Sequence, residues 1–372
     1  MLAEIHEQPE ALRRTLGHYL DLSRQTPEFR DDVLAGVAAL FRQHPDLIIT
    51  ASGSSRHAGL AAEILLEDLA GLMVDVEYAS EYACRSTHLR RHPEAPSPVL
   101  VVSQSGETAD TLAALREAKR RGHPTIAITN VANSTMMREA KVALCTHAGV
   151  ELAVPATKSF TTQLTLIEVL ALLAARERRA VGDDEIEARM TALAELPEVI
   201  ASQLDGWQED MEQLAGKYAD AKTFLYLGRG VHYAIAREGA LKLKESSYLH
   251  AEGYPAGELK HGPNALVSQQ VPLVVVATVD PDEPESMLRY EKTVSLLYDM
   301  REQGARVLAI ANAGDGTVRS LASDTVEVEP LSESLLPIAE VIPLQLFAYF
   351  MALKHGVDVD KPRNLTKAVI AE

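Results

Sequence analysis

Two stretches of this 372-residue chain repeat one another at a fixed separation. Glu151, Pro155, Gln163 and Leu164 recur as Glu333, Pro337, Gln345 and Leu346, and 333 − 151 gives the shared offset of 182. In each copy an apolar strand pattern precedes the proline and an apolar helix pattern follows the glutamine. A matching residue set at one offset implies an internal duplication, and so long a period excludes a solenoid. The chain is therefore expected to fold as two copies of one α/β domain.

The rhythm along the chain agrees. Short apolar runs at 47–51, 74–78, 98–102, 124–129 and 142–146 alternate with helical patterns at 60–69 and 109–121. Runs at 223–227, 273–278, 306–311 and 324–329 alternate with helical patterns at 234–249, 283–303 and 341–354. Strands alternating with amphipathic helices predict parallel sheets covered on both faces, in a three-layer flavodoxin- or Rossmann-like α/β sandwich. The expected boundaries are a helical segment at 1–44, a first domain at 45–178, a helical linker at 179–218, a second domain at 219–356 and a tail at 357–372.

Charge limits the partners. The 36 Lys+Arg against 53 Asp+Glu leave a net charge of −17. Such a surface repels nucleic acid and anionic lipid. The basic clusters at 85–91 and 119–121 read as solvated faces. Hydrophobic residues make up 47% and aromatic ones only 5%, so the cores are aliphatic. Two distant cysteines, Cys84 and Cys145, favour neither a disulfide framework nor a zinc site and fit a reducing compartment. The first residues lack a secretory pattern, and the apolar stretch 164–175 contains Glu168 and is short for a membrane span. A cytoplasmic protein without a membrane partner is expected.

Three loops at strand ends could hold an anion, where ligands sit in open parallel sheets. They are Ser52-Gly53-Ser54-Ser55, Ser103-Gln104-Ser105-Gly106-Glu107-Thr108 and Val154-Pro155-Ala156-Thr157-Lys158. The middle one opens a helix, whose free N–H groups and positive dipole end suit a phosphate. The alternative is that Ser and Thr only cap helices. No Walker loop occurs. Gly228-Arg229-Gly230 follows a strand, but Tyr233 stands where a dinucleotide fingerprint has its third glycine.

Glu238, Lys242 and Glu245 share one helix face, which periodicity alone reads as a solvated ion-pair ladder. Beside them, 251–263 reads as a non-periodic loop with Lys260 and His261. A carboxylate, a histidine and a phosphate cradle are what sugar isomerisation needs: one group opens the ring, another moves a proton between adjacent carbons. Taken alone, His261 reads as a structural loop residue. Leu365, Val369 and Ile370 predict that the tail docks, carrying Lys367, and a partly desolvated lysine can form a Schiff base with a keto sugar. His88 and His92 have i,i+4 spacing, but the flanking arginines and Pro93 argue against a metal. Neither a metal nor another cofactor is expected.

These same residues carry a resemblance. The segments EIHEQPEALRRTL, SQSGETADTL, TKSFTTQLTL, LGRG, EGALKLKESSYLHAEGYPAGELKHGP and DVDKPRNLTKAV resemble the isomerase portion of the glucosamine-6-phosphate synthases, the glutamine–fructose-6-phosphate aminotransferases. That portion consists of two SIS (sugar isomerase) domains. The resemblance implies sugar-phosphate contacts from Ser55, Ser103, Gln104, Ser105 and Thr108, with Val154 near the sugar. It implies Glu245 as the acid/base between C1 and C2, and His261 as the ring-opening residue reaching in from a neighbouring subunit. It implies Lys367 as the Schiff-base amine, with Lys242 supporting the site. A shared site implies a homodimer.

Two departures stand out. The family's glutaminase domain, with its terminal cysteine nucleophile, has no counterpart here, and neither Cys84 nor Cys145 can replace it. The chain is expected not to make ammonia from glutamine by itself. Ala156 stands where the synthases commonly have a serine near the sugar. The leading expectation is an isomerase/deaminase interconverting glucosamine 6-phosphate and fructose 6-phosphate plus ammonia. An isomerase served by a separate glutaminase, an excised part of a longer synthase, and a deglycase of amino-acid–sugar-phosphate adducts stay open. So does a non-enzymatic phosphosugar sensor, although a sensor has no need for Glu245, His261 and Lys367 together.

Overall fold

The computed structural model describes residues 1–24, 26–85 and 96–369. His88, His92 and Ile370 lie outside the described residues. The chain forms two compact units. The N unit comprises Glu7–Glu151, Lys158–Pro197 and Thr366–Glu372; the C unit comprises Met1–His6, Leu152–Thr157 and Glu198–Leu365.

The N unit is built on five parallel strands in the spatial order Met73–Tyr78, Asp46–Ala51, Val99–Ser103, Thr125–Thr129, Val142–Cys145. Each strand is short, rich in Val and Ile, and bounded by a loop, as a sheet buried on both faces requires. Side chains alternate across it. Val99, Val101 and Ala127 meet the helices Ala79–Cys84, Ala109–Arg120 and Thr135–Glu139. Leu100 and Ile126 face Phe41, Ala62, Leu66, Ile167 and Leu170 on the other side. Each such fully enclosed aliphatic side chain contributes roughly 1.5–3 kcal/mol.

The C unit repeats the plan. Its parallel order is His250–Pro255, Thr223–Gly228, Leu273–Val276, Val307–Asn312, Asp324–Val328. Numbered along the chain within each unit, both sheets run 2-1-3-4-5, the flavodoxin-like doubly wound order. The duplication is visible residue by residue. Thr125 and Val307 open equivalent strands, and so do Val142 and Asp324, each pair 182 residues apart. The expected fold class is thus the observed one.

Several elements differ from the sequence reading. The loop expected at 52–55 is the opening of helix Gly53–Ala70, whose first two turns carry no large apolar side chain and so lack the apolar periodicity that marks the rest. The loop expected at 251–263 contains the edge strand His250–Pro255, followed by two 3₁₀ turns. Its glycine and proline hid it, and an edge position tolerates both. The expected linker is one helix, Asp183–Tyr218, with Pro197 inside it. The segment at 1–44 holds a two-residue hairpin as well as helices. The apolar stretch at 164–175 belongs to helix Lys158–Arg178, which with Leu336–Lys354 is long and apolar enough to cross a membrane; both are enclosed by the protein and serve as core helices.

Candidate active site

The crevice between the first and third strands of a 2-1-3-4-5 sheet is where the connections diverge and a ligand finds room. In the N unit that point carries hydroxyls. Ser103 ends its strand, and its Oγ lies 2.9 Å from Thr108 Oγ1 across the loop. Ser103 Oγ also accepts the Gly106 N–H at 3.2 Å, and Ser105 Oγ accepts that of Glu107 at 3.2 Å. Gly106 has φ +66°, and a Cβ there would lie 2.2 Å from Ser134 Oγ. The loop thus needs glycine at its apex. Its outer wall is held by Glu107, whose carboxylate accepts the Thr135 N–H at 2.6 Å, and by the Asn130 N–H, which donates to the Gln104 carbonyl. Across the crevice, buried Ser55 accepts a hydrogen bond from the side-chain amide of buried Gln163 at 3.1 Å.

These hydroxyls are not helix caps. Ser52 precedes helix Gly53–Ala70 and Thr108 precedes helix Ala109–Arg120, and neither side chain bonds its helix. A cap left without its side-chain bond leaves first-turn N–H donors for something else.

The C-terminal segment is drawn to the same unit. The Ala109 N–H donates to the Val369 carbonyl at 2.9 Å. Lys367 Nζ sits 2.5 Å from Glu151 Oε2. Glu151 is buried and already fixed, since the Ser159 N–H and hydroxyl donate to its two oxygens at 3.1 and 2.7 Å. The tail docks, but not as the sequence implied. Leu365 and Val369 are 42% and 55% exposed, so a backbone hydrogen bond and an ion pair, rather than apolar burial, hold it.

The C unit supplies the proton-transfer candidates. Glu238, Lys242 and Glu245 lie on helix Val231–Ser247. This is not a solvated ladder: Glu238 and Lys242 are 0% and 1% exposed. Lys242 Nζ contacts Glu245 at 2.5 Å and Glu238 at 3.4 Å. Burial opposes the lysine's charge, but the two carboxylates outweigh it and hold its pKa above the ordinary value. Lys242 is therefore a fixed cation that orients Glu245. Glu245 also borders a groove of about 470 Å³ with Tyr248, Arg363 and Leu365. His261 ends a 3₁₀ turn with its ring exposed. Val154 is half-buried, and its N–H donates to the Asp360 carbonyl at 3.1 Å. The third expected loop thus belongs to the C unit as far as Thr157, so the N sheet edge keeps two of the three loops expected there.

The C unit has its own switch point, and it is full. His232 Nδ1 donates to Glu340 at 3.0 Å, and the Thr278 hydroxyl also donates to Glu340. Arg289 pairs with Glu333, its Nε 2.8 Å from Oε1. Burial alone would lower the His232 pKa, but Glu340 and Glu333 raise it to about 9. Glu333 is penalised by burial, yet its bonds to His232 and Arg289 bring it down to about 2. Gly230 is where Arg289 passes, a Cβ there lying 2.7 Å from its Cδ. The Gly-Arg-Gly turn thus leaves room for Arg289 to reach Glu333.

At the repeat offset of 182, Glu333 is the counterpart of Glu151, so the duplication is the signal in the sequence that marks both carboxylates.

A doubly wound α/β module, built twice in one chain, thus carries a hydroxyl-lined loop at the switch point of its first copy and an ion-paired cluster at that of its second. The chain belongs to the SIS domain family, which matches residues 40–173 and 217–354. Over 376 aligned residues it is 42% identical to the glutamine–fructose-6-phosphate aminotransferase (isomerizing) of Chlorobaculum tepidum, covering all of this chain and 58% of that protein. The C-terminal domain of glucosamine-fructose-6-phosphate aminotransferase from Francisella tularensis superposes with a TM-score of 0.88 at 35% identity, over 97% of each chain. Glucosamine-6-phosphate deaminase from Thermotoga maritima shares the fold, with a TM-score of 0.68 at 22% identity over 99% of this chain and 98% of that one.

Proposed function

We propose that this protein is a phosphosugar aldose–ketose isomerase that interconverts glucosamine 6-phosphate and water with fructose 6-phosphate and ammonia. The observation that carries the reading is the Ser103–Thr108 loop, rigid, hydroxyl-lined and free of capping duty at a sheet switch point. The two aminotransferases named above act, by their names, on fructose 6-phosphate, and this chain spans a little over half the length of the curated one.

In this reading Ser55, Ser103, Gln104, Ser105 and Thr108 hold the phosphate, and Val154 lies near the sugar. His261 of a neighbouring subunit moves the ring hydroxyl proton as the ring opens, which makes the working form a homodimer. Glu245, oriented by Lys242, carries a proton between C1 and C2 through an enolamine. Lys367 forms a Schiff base with open-chain fructose 6-phosphate. The same groups serve the direction that consumes ammonia, whether free or from a separate glutaminase. The working place is the cytoplasm, and no cofactor takes part.

Purified protein incubated with glucosamine 6-phosphate should release ammonia and fructose 6-phosphate together. Glu245→Gln should cut turnover by about 10²–10⁴, the usual span for a positioned acid/base, while sugar-phosphate binding survives. Tight binding with no turnover in the wild type would point to a sensor instead.

A further inference from the structure

Glu151 is a buried carboxylate that meets a cation from the C-terminal segment. The Ser159 N–H and hydroxyl fix both of its oxygens, and it lies within the core of the N unit. A buried carboxylate with no positive partner is costly, so the position is built for a positive group. The duplication says the same thing independently. Its counterpart Glu333 also holds a cation, Arg289. The difference lies in which cation. Arginine stays charged and belongs to the body of its unit, whereas Lys367 belongs to the C-terminal segment and its amine can lose a proton.

We propose that Glu151 is the docking carboxylate of the C-terminal segment: it holds the Lys367 ammonium beside the hydroxyl loop and takes that ammonium's proton when the amine attacks a keto sugar. This role rests on the proposed function for its second half only. The step balances. The ammonium passes one proton to Glu151, and the freed lone pair forms the C–N bond to C2. The carbonyl π pair moves onto oxygen. That oxygen then leaves as water, taking the proton from Glu151 and one of the two left on nitrogen, and a protonated Schiff base remains. Glu151 is a positioning residue that acts through Lys367.

The test labels surface amines with a water-soluble acetylating reagent and reads each lysine by mass spectrometry. In the wild type, Lys367 should react about tenfold more slowly than exposed Lys361, because its amine is held against Glu151 and is only 25% exposed. Glu151→Gln keeps the shape and the bond from the Ser159 N–H, with its amide donating to the Ser159 hydroxyl instead of accepting from it, but removes the charge that holds the amine, and should raise Lys367 labelling about tenfold while other lysines are unchanged. A packing role would be spared by Gln, so unchanged Lys367 labelling in this variant overturns the proposal. If the variant does not fold, the wild-type comparison decides, and equal labelling of Lys361 and Lys367 overturns it. A second arm adds borohydride with fructose 6-phosphate. Trapping on Lys367 should fall about tenfold or more in Glu151→Gln. No trapping in the wild type would remove the proposed function and with it the proton-transfer half, while the labelling arm still decides the docking.

Discussion

The hydroxyl of Tyr248 accepts the backbone N–H of Arg363 at 2.6 Å, while the Arg363 guanidinium lies 4.2 Å above the same ring. Tyr248 sits at the C-cap of the helix that carries Glu245, at φ +62°, a left-handed position unusual for a bulky residue. One side chain thus fastens the root of the C-terminal segment to the end of the Glu245 helix. Asn364 follows in the same left-handed region and turns the chain away.

Replacing that ring should free the segment. Tyr248→Phe keeps the stacking and loses one hydrogen bond, for about 1 kcal/mol. Tyr248→Ala loses both contacts. Trypsin cleavage after Arg363 should then accelerate in the order wild type, Phe, Ala. Equal cleavage rates in all three would show that the ring does not fasten the segment.

Gly106→Ala should abolish anion binding at the hydroxyl loop. The added Cβ would lie 2.5 Å from Ser134 Cβ and 2.2 Å from its Oγ, in a backbone region that disfavours side chains. Strain of this kind costs about 1–3 kcal/mol, so the fold should survive while the loop shifts. Calorimetric titration with glucosamine 6-phosphate measures the loss.

One phosphosugar should bind per chain although the fold is doubled. The C unit's switch point is occupied by His232, Glu340, Glu333 and Arg289, and its two carboxylates repel phosphate. A stoichiometry of two in the same titration would show that this cluster opens.

The same cluster sets a pH dependence. The His232 pKa is raised to about 9, so its stabilisation is complete below the ordinary histidine value of 6.5 and is lost as pH rises through about 9. Glu333 is lowered to about 2, so its contribution is present above the ordinary 4.5 and lost as pH falls through about 2. Urea midpoints should therefore fall between pH 6.5 and 9, and His232→Gln should flatten that decline.

Lys242→Met should destabilise the C unit by about 3–5 kcal/mol, because it leaves Glu238 and Glu245 without their shared cation. Adding Glu238→Gln should recover part of the loss. A double variant no more stable than the single one would mean that the lysine acts by packing alone. Urea denaturation measures both.

Strand and helix rhythm, the duplication and the hydroxyl loop at 103–108 were all legible in the amino-acid order, because they depend on local periodicity and on residue types confined to a few positions. The edge strand at 250–255 was not, since its Gly and Pro are poor strand formers and only pairing with Thr223–Gly228 makes it one. The burial of Glu238 and Lys242 was equally hidden, because helix spacing shows which residues share a face but not what covers that face.

By itself, the order of residues determined two like α/β units, an anion-suited loop in the first, and a helix with three charges on one side. Tertiary structure alone decided which charges are enclosed, that Glu151 meets a lysine 216 positions away, and that one of two equivalent crevices is filled. The reason is physical: hydrogen-bond periodicity acts within a few residues, whereas burial and ion pairing depend on which distant segments the folded chain brings to the same place.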